Sequence, residues 1–300
     1  MLAFSETLIS QYIAGQVDLL KDRILYKTDV RLGVVSASSE RLGFPVSVLK
    51  NGLTNENYRP NVMPATIDVS GPAGNQNDYC AIAGHNLADT GVLVTLQASS
   101  GAGFYDIMSV LPVSNSPIVM LFAATAATTF RISLSWPVAP TDTSLTPSIA
   151  VLYIGKSLIM ERGVDMSYQP IGMSRDIESY PQSSELGGFI GTSVMTSGNS
   201  SSATWSYLSN TFYRREFDPF VLSAARYPFF FVFRPEPDLT SVSLELSFVE
   251  GEYASRPVYE SAYGDLAYAR LPASTKIKPS YAGQQDRLNV TIPMEGLAVV

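Results

Sequence analysis

Residues 78–97 read DYCAIAGHNLADTGVLVTLQ, two apolar runs divided by a turn. The first run, residues 79–83, is short and of strand type. Gly84, His85 and Asn86, followed by Ala88, Asp89, Thr90 and Gly91, are turn material. Gly and Asn tolerate positive φ, and Asp and Thr hydrogen-bond to nearby backbone. Val92, Val94 and Leu96 then alternate with Leu93, Thr95 and Gln97, the period of a half-buried strand. Such a strand, loop and strand belong at the centre of a β-sandwich. The same segment holds the only His, His85, and the only Cys, Cys80. One Cys permits neither an internal disulfide nor a Cys-based zinc site, and suits a reducing compartment.

The chain before this unit divides in two. Over residues 1–27, Ile9, Ile13, Val17, Leu20 and Ile24 recur at helical spacing, with Gln16, Asp18, Lys21 and Asp22 on the other side. Ser5 with Glu6 marks the helix start. This piece is either a helix packed on its own domain or an arm that docks on a neighbouring subunit. Residues 28–154 read as all-β. Val30, Leu32 and Val34 alternate, residues 36–40 form a polar loop, residues 45–49 a short strand, and Asn51-Gly52 a turn. Residues 65–69 are a further strand, closed by a loop at 70–74. A Gly/Ser turn at 99–103 follows the central unit. Residues 118–123 are a buried strand, and Phe130, Ile132 and Leu134 alternate with Arg131, Ser133 and Ser135. A Pro- and Thr-rich linker spans 137–147. Residues 149–154, IAVLYI, are apolar throughout, as in a central strand. Short strands at regular spacing with turns between them predict a sandwich or jelly roll.

Residues 155–300 predict a second β-rich part. Residues 181–188 and 197–202 are polar enough for loops, with Ile190, Val194 and Trp205 on strands around them. Asp218-Pro219 predicts a helix start, Asp as N-cap and Pro at the first helical position. Phe220, Val221, Ala224 and Ala225 give that helix, near 218–226, its apolar face. Residues 229–233, FFFVF, read as a buried strand. Val242, Leu244, Leu246 and Phe248 alternate, as do Leu288, Val290 and Ile292. The Tyr-, Pro- and Ser-rich residues 256–287 read as an extended arm or contact loop.

Composition narrows the function classes. A chain of 300 residues suggests about two domains. Charged residues make up 16%, below the ~25% of ordinary soluble domains, and point to surface buried against other subunits. The net charge of -7 repels a phosphate backbone, so no nucleic-acid partner is expected. The N-terminus, MLAFSETLIS, lacks a basic region ahead of its apolar residues, so no signal peptide is expected. The longest uncharged apolar run, 117–130, is short of the ~20 residues of a membrane helix, so no membrane span is expected.

No catalytic constellation emerges. His85 has Asp78, Asp89 and many Ser residues near it in sequence, but no G-x-S-x-G elbow holds a nucleophile, and a turn histidine satisfied by backbone groups is the preferred reading. Asp176 with Glu178, and Glu250 with Glu252, would share a strand face at the spacing glycoside hydrolysis uses, yet nothing desolvates either pair. Neither Gly101-Ala102-Gly103 nor Gly155-Lys156-Ser157 completes a phosphate loop. Arg214-Arg215 reads as a surface or interface pair. Trp136, Trp205 and the tyrosines between 253 and 281 read as core or subunit interface before sugar-stacking platforms. No catalytic, cofactor-binding or metal-binding residue, and no cofactor, is assigned, and the chain is read as not an enzyme.

Ser38-Ser39-Glu40, Ile67-Asp68-Val69, DYCAIAGHNL and the alternating strand after it resemble, in this order, the galactose-binding-like (discoidin-like) jelly roll. With VLYIGKSLIMERGV following, the series is similar to proteins encoded in tail gene clusters of tailed bacteriophages, over most of the chain. The resemblance implies an all-β fold, with an N-terminal arm or helix at 1–27, a galactose-binding-like β-sandwich at 28–154 and a second β-rich domain at 155–300. It implies a structural virion protein in the tail, ring-forming near the tail tip. Its partners would be copies of itself, other tail or baseplate proteins and host-surface carbohydrate. The alternatives are a carbohydrate-binding, host-receptor module of the particle and a capsid or connector decoration protein.

Overall fold

The computed structural model describes residues 1–72, 74–99, 101–137, 145–249, 252–261, 265–283 and 286–299; for 175–178, 195–198, 241–249, 252–259 and 298–299 it describes the backbone alone. The strands in chain order are β1 (Leu2–Phe4), β2 (Arg23–Leu25), β3 (Val34–Ala37), β4 (Ala65–Ser70), β5 (Gln76–His85), β6 (Leu93–Ser99), β7 (Phe104–Val110), β8 (Ile118–Ala126), β9 (Thr129–Ser135) and β10 (Ile149–Gly155). They continue with β11 (Leu158–Ile159), β12 (Arg175–Ser183), β13 (Phe189–Ser209), β14 (Phe229–Val232), β15 (Pro237–Val249), β16 (Glu252–Ser261), β17 (Leu266–Arg270), β18 (Ser280–Tyr281) and β19 (Arg287–Val299). The helices are α1 (Glu6–Ile13), α2 (Asp29–Leu32), α3 (Asn210–Phe212) and α4 (Asp218–Ala224), with a π-helical turn, Tyr213–Phe217, joining the last two.

The fold is all-β with short helices. Among the described residues its strands form three sheets: β3-β4-β9-β6-β7, β10-β5-β8-β1-β16-β15, and β11-β2-β14-β17-β19-β13-β12 with β18 on β19. Among the described residues three hydrophobic clusters fill the layers. The first joins the first two sheets, with Ile67, Val94 and Ile132 facing Cys80, Ile82 and Leu152. The second joins the middle sheet to the third, with Tyr79, Ala81 and Tyr153 against Phe230, Leu266 and Tyr268. The third lies on the far side of the last sheet, where Phe229, Phe231 and Trp205 meet Phe217 and Phe220.

This layering explains two kinds of sequence pattern. The unbroken apolar runs YCAIA, IAVLYI and FFFV are β5, β10 and β14, and successive side chains enter opposite cores. The alternating runs are β4, β9 and β19, each with one face inside and the other toward solvent. The central unit spans the sandwich: β5 lies in the middle sheet and β6 in the outer one, so the GHNLADTG turn crosses between layers. β6 is buried on both faces rather than one, because Thr95 turns its hydroxyl to Ser109 at 2.9 Å in the neighbouring strand.

Several expectations are corrected. The helical spacing of 9–24 carries α1 only to Ile13, and Arg23–Leu25 is a strand of the third sheet. Leu2–Phe4 inserts between β8 and β16, so the first residues are ordinary sheet members. Val30 and Leu32 lie on α2, capped by Thr28, not on a strand. Residues 46–50 form a 3-10 helix rather than a strand. The helix expected from Asp218 begins earlier: Ser209 caps Asn210 to Phe212, and Asp218-Pro219 sits inside the helical segment at the π-to-α junction. Residues 197–202 lie within β13, not in a loop, and residues 256–287 contain β17, β18 and most of β16. Polar composition misled at 197–202, where pairing with β12 and β19 makes the segment sheet. Residues 138–144 of the expected linker lie outside the described residues.

Candidate binding cleft

At the edge where the sandwich meets the third sheet, a cleft of about 500 Å³ opens among four segments: residues 26–32, residues 75–77, the end of β10, and the turn after α4. Its walls follow from local sequence. Thr28 caps α2 through a 3.2 Å bond from Val30 N–H, and its hydroxyl also accepts from Ile154 N–H at 3.2 Å. The segment is thereby pinned to β10. Gly155 permits this approach, since a Cβ there would lie 2.0 Å from the Lys27 carbonyl oxygen.

Asp29 is buried and faces two amides. Asn75 Nδ2 donates to its Oδ1 at 2.9 Å and Asn77 Nδ2 to its Oδ2 at 2.7 Å. Gly71 makes room for the carboxylate, because a Cβ there would come within 2.3 Å of Oδ2. Arg31 stacks its guanidinium 3.7 Å from the Tyr227 ring centre and donates from Nη2 to the Tyr153 hydroxyl at 2.8 Å. Tyr153 in turn donates to the Pro228 carbonyl at 2.9 Å, which fixes the turn carrying Tyr227. Burial pushes the Tyr153 hydroxyl above the ordinary phenol range, and the nearby Arg31 charge partly offsets this. Tyr26 closes the floor with its hydroxyl buried and unpartnered among the described residues; burial and the nearby Glu216 push its pKa up to about 12. Lys27, Asn75, Gln76, Lys156 and Tyr227 are exposed at the rim. Amide, carboxylate, cation and aromatic groups converge here.

The residues weighed in the sequence lie elsewhere or are structural. His85 Nε2 bonds to the Ser116 carbonyl at 2.9 Å, and Nδ1 accepts from Leu87 N–H at 3.3 Å. Burial lowers its pKa to about 4, so the ring is neutral and backbone-satisfied. Asp78, at the opposite end of β5, accepts from Ser157 N–H at 2.6 Å and from its hydroxyl at 2.8 Å; burial raises its pKa despite the buried Arg23 beside it. Asp89 accepts from Asn115 at 2.7 Å. The structure does not bring these three into a triad. Ser157 is a buried partner of Asp78 and Arg23, and of its tripeptide only Gly155 and Lys156 reach the cleft.

Asp176 and Glu178 lie on β12 across a register shift, and their side chains lie outside the described residues, as do Glu250 and the side chain of Glu252. Arg215 pairs with Glu216 at 3.0 Å, while Arg214 lines a shallow groove with Arg287. Trp136 packs on the sandwich core and donates to the Thr90 carbonyl at 3.2 Å; Trp205 is fully buried and donates to Asp22 at 3.1 Å. Tyr268 is buried and Tyr281 exposed, both away from the cleft lining. Among the described residues no cluster of three His, Cys, Asp or Glu side chains could hold a metal, and no helix is long and apolar enough to cross a membrane.

Sequence reasoning missed the cleft. Arg31 sits inside what reads as an alternating strand, and Tyr227 beside a helix-stopping proline. The available signal was the amide run Asn75-Gln76-Asn77 after a glycine turn.

No protein-family profile and no curated protein matches the sequence. Solved structures do. A family 32 carbohydrate-binding module from Clostridium perfringens, in complex with GalNAc-β-1,3-galactose, is 16% identical with a TM-score of 0.36, covering 44% of this chain and 99% of the module. A second family 32 module from the same organism, from NanJ and in complex with galactose, is 17% identical with a TM-score of 0.35, covering 44% and 98%. A chitosan-binding module from a Paenibacillus chitosanase/glucanase is 15% identical with a TM-score of 0.36, covering 43% and 98%. What these modules bind is a property of those proteins; the sandwich described here stands on its own sheets and core.

Proposed function

We propose that this chain is a non-enzymatic carbohydrate-binding protein and that the cleft around Asp29, Arg31 and Tyr227 takes the sugar. One observation carries the reading: a buried carboxylate held by two amides faces the same opening as an exposed aromatic ring and three rim amides or amines. Carboxylates and amides match the paired donors and acceptors of sugar hydroxyls. An aromatic face matches the apolar C–H side of a pyranose. A glycan array followed by titration calorimetry tests it. A saccharide hit whose affinity falls about tenfold in Tyr227→Ala supports the reading. Binding unchanged in Tyr227→Ala and Asn75→Ala removes the cleft from it.

A second reading, a structural subunit of a tailed-phage particle, is favoured by the hairpins. Residues 177–183 and 189–196 pair only with each other among the described residues and run past the edge of the third sheet. Leu186, Phe189, Ile190 and Val194 on this ribbon are exposed. The strands β15 and β16 likewise pair over Ser243 to Val249, beyond the point where β1 joins β16. Such ribbons suit contacts with copies of the chain or with other particle proteins. Immunogold labelling of intact virions at one end of the tail would support this role, and absence of the chain from particles would remove it. The two readings are compatible, with the cleft touching host glycans and the ribbons holding the subunit in place.

A further inference from the structure

The cleft has a local charge opposite to that of the whole chain. The chain carries -7 in total, yet Lys27, Arg31 and Lys156 stand around one opening. Among the described residues none of the three has a carboxylate within ion-pair distance, whereas Arg23, Arg131, Arg270 and Arg287 each do. The one acid among the cleft-lining residues, Asp29, is buried, and each of its two oxygens already accepts from an amide, Asn75 or Asn77.

Arg31 is the best placed of the cations. Tyr227 covers one face of its guanidinium, and its Nε is buried without a partner. Its hydrogen-bond partner among the described residues is the neutral Tyr153 hydroxyl. A stacked guanidinium is held in one orientation, and its planar fork suits an anionic oxygen pair better than a lone hydroxyl does. A partly enclosed, low-dielectric wall strengthens that attraction relative to an open surface.

Resting on the carbohydrate-binding reading, we infer that the saccharide bound here is anionic, bearing a carboxylate or a phosphate, with Arg31 receiving the charged group and Lys27 and Lys156 steering it. The net charge of the chain then acts as a filter. A long polyanion such as a nucleic acid is repelled by the rest of the surface, while a short glycan enters the one favourable opening.

The test prints the intact protein against neutral, carboxylated and phosphorylated saccharides. Short oligogalacturonate and mannose 6-phosphate are then titrated at low and high salt into wild type, Lys27→Gln, Lys156→Gln and Arg31→Gln. Both lysines are exposed, so their variants keep the fold even where Arg31→Gln weakens the Tyr153 contact. The expected result is binding to at least one anionic probe, weakened about fivefold by each lysine change, more than about tenfold by Arg31→Gln, and further by salt. Preference for one probe assigns the anion. Neutral saccharides binding with an affinity indifferent to all three variants but sensitive to Tyr227→Ala would overturn the charge inference and leave the cleft as a sugar site. No saccharide binding of any class would overturn both.

Discussion

β5 and the outer part of β13 are both long strands in hairpin-like settings, and they are opposites. In β5, Tyr79, Cys80, Ala81, Ile82 and Ala83 are fully buried, because the middle sheet has a core on each face. In outer β13, the adjacent Phe189 and Ile190 point to opposite faces, and both remain exposed, at 73% and 67%. Apolar side chains in β5 stabilise the fold. Apolar side chains in outer β13 contribute almost nothing to it and are available to something else. Hydrophobicity alone does not separate the two uses; the number of layers around a strand does.

Substitutions sharpen that contrast. Ile82→Ala opens a cavity between two packed sheets and is expected to destabilise the protein by about 2–5 kcal/mol in urea unfolding. A loss below about 1 kcal/mol would break the claim that β5 is the centre of the core. His85, at the end of the same strand, adds a pH signature. Its folded pKa, near 4, lies below the ordinary 6.5 because burial disfavours the imidazolium. A depressed pKa contributes stability that is present above pH 6.5 and lost as pH falls through 4, here on the order of 3 kcal/mol. Unfolding midpoints measured from pH 7 to 4 should fall more steeply in wild type than in His85→Gln. Equal slopes would mean that the ring is open to water. At the other extreme, Phe189→Ser, Ile190→Ser and Val194→Ser should each change stability by no more than about 0.5 kcal/mol. Together they should abolish any self-association seen by light scattering. A large stability loss from these changes would show that the ribbon is part of the folded core.

Legibility in the sequence follows the same divide. Strands covered on both faces announced themselves as unbroken apolar runs, as in IAVLYI and FFFVF, and one-sided strands as alternation, as in β9 and β19. Segments whose structure rests on tertiary partners did not. Val30 and Leu32 alternate like a strand but form a helical turn, because Thr28 caps it and ties it to β10. Ser197 to Ser202 looks like a loop, yet cross-strand pairing with β12 and β19 makes it sheet. The cleft was illegible for a related reason. Asp29, Asn77, Tyr153 and Tyr227 are far apart in the chain and meet only when the sandwich and the third sheet are both in place. His85 was readable, since a lone histidine in a turn with no elbow nearby is satisfied by backbone.

The central claim is that recognition belongs to the cleft and not to the ribbon. Solution NMR of the intact chain tests it through the side-chain amides of Asn75, Gln76 and Asn77, during titration with a saccharide taken from the array. The account predicts that these resonances shift in proportion to saturation while the backbone amides of residues 186–194 stay in place. Shifts confined to the ribbon, with the three side-chain amides unmoved, would contradict it.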